Sequence, residues 1–140
     1  SLWCDVDLYE DRGAVEVGAQ VAHDRVGDVV EAVCQELAAL KRRAPRPNEV
    51  ERVRARLERD LLDMRDAPSH VAESAARGAL VGLPLDPERT LARVADITPK
   101  HVSAAARSIF QADKAVLVLV GLPSRREVQR AQRAIEEHLA

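Results

Sequence analysis

The sequence predicts an α+β domain in the order ββααααβα, a partial two-layer α/β arrangement with a mostly antiparallel sheet and helices packed on one face. Three observations predict it. Residues 2–9 and 14–22 alternate apolar and polar, the period of a half-buried strand, around Glu10-Asp11-Arg12-Gly13. From Asp24 onward, apolar residues recur at helical spacing in stretches separated by Pro and Gly. Val116 to Val120 are apolar at every position, which predicts a strand covered on both faces.

In the first strand Leu2, Cys4, Val6 and Leu8 share a face opposite Trp3, Asp5, Asp7 and Tyr9. Gly13 is placed for a positive φ in the turn, and Val15, Val17, Ala19 and Val21 form the apolar face of the returning strand. Asp24 is expected to cap a helix with the stripe Val26, Val29, Val30, Val33, Leu37 and Leu40, which Pro45 and Pro47 terminate.

Asn48-Glu49-Val50-Glu51 predicts a variant capping box. The helix it opens runs to about Arg65 and buries Val50, Val53, Leu57, Leu61 and Met64. Its outer face holds Arg54/Glu58, Arg56/Asp60 and Arg59/Asp63 at i,i+4. Arg before acid is the weaker orientation, so each pair adds at most a few tenths of a kcal/mol. This is a solvated, self-neutralised face rather than a phosphate groove.

A helix from His70 to Val81 is rich in small residues, and Gly82-Leu83-Pro84-Leu85 reads as a loop. Asp86-Pro87 opens a short helix ending near Val94, and Thr98-Pro99 starts another that ends at Phe110. After the apolar strand, Gly121-Leu122-Pro123-Ser124 turns into a last helix, with Ser124 as its cap and Val128, Ala131, Ala134, Ile135 and Leu139 inward. Ser69 also reads as a cap. A doubly covered strand beside so few others predicts further sheet strands from outside residues 1–140, from upstream sequence or a partner chain. The first residues read as the middle of a strand.

At 140 residues the chain is expected to form a single domain. It is 46% hydrophobic and 31% charged, and its 21 basic and 23 acidic residues leave a net charge of −2, so no global field draws in nucleic acid or anionic lipid. Trp3, Tyr9 and Phe110 are the only aromatics, too few stacking platforms for a single-strand nucleic-acid binder. No apolar run approaches the roughly 20 residues that span a membrane. Cys4 and Cys34 cannot make a disulfide framework; two buried thiols in a reducing cytoplasm is the expected reading, one disulfide the alternative.

His23, His70, His101 and His138 lack a second His, Cys or carboxylate at metal-site spacing, and H-E-x-x-H and H-x-x-E-H are both absent. There is no Gly-x-Ser-x-Gly elbow, Gly-rich phosphate loop or C-x-x-C. Cys34 as a nucleophile has no His and Asn partners that the sequence identifies. Catalytic residues are therefore expected to be absent. Residues 87–110 have the size of a helix-turn-helix, yet Val102-Ser103-Ala104-Ala105-Ala106 is the middle of a packing helix rather than a DNA-reading one.

Several segments together resemble the insulinase-like zinc metallopeptidases, the family of pitrilysin and the mitochondrial processing peptidase. They are Asp11-Arg12-Gly13 with Val15 to Ala19, the helix from Asp24 to Lys41, and Pro47 to Leu57. Asp66-Ala67-Pro68, Ala92 to Val102 and Ala115 to Gly121 complete the series, which covers nearly the whole chain. The resemblance implies a C-terminal portion of one α/β repeat. In that family one repeat binds zinc through H-x-x-E-H and a distant Glu, and a second, non-catalytic repeat closes over an extended peptide.

Both the zinc motif and the Arg and Tyr of the non-catalytic repeat would lie upstream of Ser1. The distant zinc Glu of a metal-binding repeat would fall near Glu58 or Asp60, whereas the Arg42–Pro47 connection resembles the non-catalytic kind. The resemblance thus implies a non-catalytic repeat that completes a peptide-binding chamber, inactive alone, with zinc in its partner repeat. The partners implied are a second repeat or an upstream segment and a peptide substrate. An assembly subunit without substrate role is the alternative, and a small DNA-binding regulatory domain a distant one.

Overall fold

A computed structural model describes residues 1–64, 66–80, 82 and 86–140. The expected helix ends at Arg65 and Val81 and the loop at 83–85 lie outside the described residues. Strands β1 (Leu2–Leu8) and β2 (Gly13–Ala19) are followed by α1 (Val26–Arg42), α2 (Pro47–Met64), α3 (Pro68–Leu80), α4 (Pro87–Ala95), α5 (Pro99–Ile109) and α6 (Arg125–Leu139). The class is α+β, but the sheet among the described residues is the β1–β2 pair alone. That pair is antiparallel, as expected, but among the described residues no third strand joins it, so the larger sheet expected is not formed. Five helices precede the last apolar segment, each near where its start signal is read, so the shorthand ββααααβα is one helix short.

The hairpin forms where the alternation predicts it. The Tyr9 N–H donates to the Arg12 carbonyl at its tip, and Gln20 N–H to Ser1 O at its base. Gly13 does not adopt a positive φ. A Cβ there would lie 3.2 Å from the Asp7 carbonyl oxygen, so close approach of the two strands, not turn conformation, is what glycine serves. Gly18 is more confined, because a Cβ would fall 2.1 Å from the Trp3 ring that lies across it.

The chain divides into two compact units, one of residues 1–4, 17–45 and 100–140, the other of residues 5–16 and 46–99. In the first, α1 and α6 run side by side in the same direction. Gly27 meets Glu127 and Arg130 at one end, and Lys41 meets Leu139 at the other. Small side chains line the contact: Gly27, Cys34 and Ala38 from α1 and Ala131 and Ala134 from α6 are buried. Val30, Leu37, Phe110, Ala112 and Ile135 pack around Cys34, Ala134 and Leu139. The α1 stripe expected at Val29, Val30, Val33, Leu37 and Leu40 is only half-buried, since the helix turns its small-residue face to α6.

Asp24 does not cap α1. It lies within a 3-10 turn, His23–Arg25, and Arg25 at the N-cap supplies no capping hydrogen bond, its guanidinium pairing instead with Asp28 at 2.9 Å. The Glu127 carboxylate accepts from Gly27 N–H at 2.8 Å instead, which satisfies an orphan donor and places negative charge at the positive end of the helix. At the other end, Lys41 O accepts from Ser103 Oγ at 3.4 Å and Arg107 Nη1 at 3.1 Å, while Lys41 Nζ donates to Leu139 O at 2.9 Å. Both ends of α1 are thus capped by α5 and α6.

In the second unit, α2 starts two residues earlier than Glu49, with Pro47 as its first residue. Glu49 reaches back to the Arg46 N–H at 2.7 Å, so the expected Asn48 to Glu51 box is replaced by one whose acid is Glu49. Of the expected inward residues Val50 is buried and Leu61 and Met64 are half-buried, whereas Val53 and Leu57 are exposed. Among the three i,i+4 pairs, Arg56–Asp60 forms at 3.7 Å. Arg54 pairs with Glu51 at 2.5 Å and donates to Val94 O and Ile97 O, tying α2 to the end of α4. Asp86 caps α4 through Arg89 N–H at 2.9 Å as expected, but Ser69 sits inside the first turn of α3.

Candidate functional site

Among the described residues, those from 115 to 122 combine high apolar exposure with backbone groups that are largely unpaired. The segment is held at both ends. The 3-10 turn Ala112–Lys114 precedes it, with Phe110 and Ala112 packed on the helical core, and Ala115 leaves that turn in an extended conformation. Gly121 closes it at φ +129, beside the His23 ring, and Ser124 then caps α6 through Glu127 N–H at 3.3 Å. A side chain at Gly121 would be strained in that backbone conformation.

Between these anchors Val116 to Val120 form no ladder and no backbone hydrogen bond among the described residues. Exposure alternates with the period of a strand: Val116, Val118 and Val120 are 87%, 76% and 97% exposed, while Leu117 and Leu119 are half-buried. The expected coverage of both faces is therefore corrected: the leucines pack, and the valines face solvent. The backbone donors and acceptors and three adjacent valines offer what a neighbouring β-strand requires. An uncovered row of this kind is a pairing template that proteins do not leave open without cost.

The hairpin repeats the theme within itself. Leu2, Val6 and Leu8, expected on a half-buried face, are each exposed. Cys4 on that face is exposed too, which corrects the reading of two buried thiols, and both cysteines are free. Cys34 is buried in the α1–α6 contact, and desolvation raises its thiol pKa above the ordinary value.

Glu58 and Asp60, where the resemblance would place a distant zinc ligand, are both exposed on α2. Asp60 pairs with Arg56, and Glu58 makes no ion pair or side-chain hydrogen bond among the described residues. A shallow, open depression where α2 meets α3 gathers Asp60, Asp63, His70 and Glu73 around Met64 and Ser74. Among the described residues no group of three or more His, Cys, Asp or Glu side chains is arranged to hold a metal ion. No described helix is long and apolar enough to cross a membrane. The helices that a helix-turn-helix would join, α4 and α5, fall in different compact units.

Charge is concentrated on the α1–α6 contact instead. Arg130 Nη2 and Nε bind Glu31 at 2.6 and 3.0 Å, and Nη1 binds Asp28; Glu31 first, then Asp28, raise the pKa of the guanidinium further. Neither this cluster nor the Glu127 cap is signalled by local sequence spacing alone. Ser124-Arg125-Arg126-Glu127 does carry the capping-box spacing, which was the available signal. Its serine half closes locally, but the glutamate reaches another helix. Neither a protein-family model, a curated protein nor a solved structure matches the chain.

Proposed function

We propose that this chain is the C-terminal portion of a non-catalytic repeat of an insulinase-like zinc metallopeptidase, completing a peptide-binding chamber around a zinc site in a partner repeat. The observation that carries the reading is the 115–122 segment, anchored at both ends yet unpaired and exposing Val116, Val118 and Val120. Such a segment is intelligible as one strand of a larger sheet whose other strands come from outside residues 1–140. The Arg42–Pro47 connection and the order of the family-like segments support the choice of family and of the non-catalytic half.

In the assembled protein the chain's part is structural: it supplies helical backing and sheet edge, while zinc in the partner repeat polarises the scissile carbonyl and activates water. A peptide joining the sheet edge would gain backbone hydrogen bonds without demanding a particular sequence. Free Cys4 and Cys34 fit a reducing compartment, the cytoplasm. The amount of uncovered apolar surface equally suits a second reading, an assembly subunit with no substrate role.

The test is to read the frame encoding residues before Ser1 and to isolate the tagged natural protein with its bound partners. A zinc-containing partner or segment with H-x-x-E-H, and peptide hydrolysis that a chelator abolishes, supports the peptidase reading. A stable complex with neither favours the assembly subunit. The 140-residue chain alone is expected to cleave no peptide.

A further inference from the structure

We draw no further inference here: the strongest candidate, the uncovered apolar face of Val116, Val118 and Val120 between the 3-10 turn and α6, belongs to the site already described, and nothing in the structure shows what covers it.

Discussion

Gly27 is a point of close approach between α1 and α6. A Cβ there would lie 2.8 Å from Arg130 Cδ, 2.9 Å from Glu127 Oε2 and 3.1 Å from Arg130 Cβ. Replacing a helical glycine by alanine ordinarily gains about 1 kcal/mol of helix propensity. Here the methyl group displaces both the carboxylate that caps α1 and the guanidinium that binds Asp28 and Glu31, and overpacking costs about 1–3 kcal/mol. Gly27→Ala is therefore expected to destabilise the chain by about 1 kcal/mol in urea unfolding, against the usual sign. Equal or greater stability would show that the contact relaxes freely.

Cys34 is expected to couple stability to alkaline pH. Burial raises its folded-state pKa, whereas the unfolded thiol titrates normally, so the thiolate forms first in the unfolded chain. Its contribution is fully present below the ordinary thiol pKa and is lost as pH rises through the folded-state value. Unfolding followed across that window for the native chain and for Cys34→Ala should diverge upward in pH, the native chain losing more. Parallel profiles would mean the thiol is not desolvated. Both are compared in a Cys4→Ser background, the chain that keeps Cys34 standing for the native one, so that the exposed thiol does not intrude.

At the scale of elements, the 115–122 segment separates packing from assembly. Val118 is 76% exposed and makes no backbone hydrogen bond, so Val118→Lys should change the chain's own unfolding free energy by less than about 0.5 kcal/mol. The same charge facing a partner strand should abolish co-purification with that partner. A large loss of intrinsic stability would instead place Val118 in this chain's core. Elements whose signals are local are legible in the sequence. The Asp86-Pro87 start of α4, the Pro99 start of α5, the Ser124 cap and the inward face Ala131, Ala134 and Leu139 all stand where spacing put them. Local spacing misleads where another group competes, as at Arg54, which pairs with Glu51 rather than Glu58 and donates to the carbonyls of Val94 and Ile97.

For the whole molecule, protection is expected to be uneven. The unit built on α1 and α6 holds nearly all the buried described residues, and α1 is capped from other helices at both ends. In the other unit Val50 alone among the described residues is buried. Amide hydrogen exchange should therefore protect α1 around Cys34 and Ala38 longest and release α2 and α3 early. Uniform protection across both units would contradict this division.

Composition and periodicity were enough to place the hairpin, the helices and the apolar segment, because turn residues, prolines and 3.6-residue spacing act over a few neighbours. Those same local signals underlie the proposed family reading, which rests on packing positions rather than on reacting groups. Long-range structure settled the rest. Whether Glu127 serves its own helix or α1, and whether Leu37 or Cys34 faces the core, depends on which helix lies alongside. The valines of 115–122 carry the sharpest difference. Hydrophobicity states that Val116, Val118 and Val120 suit a covered strand, but coverage needs a neighbour with free backbone groups, and residues 1–140 supply none to them among those described.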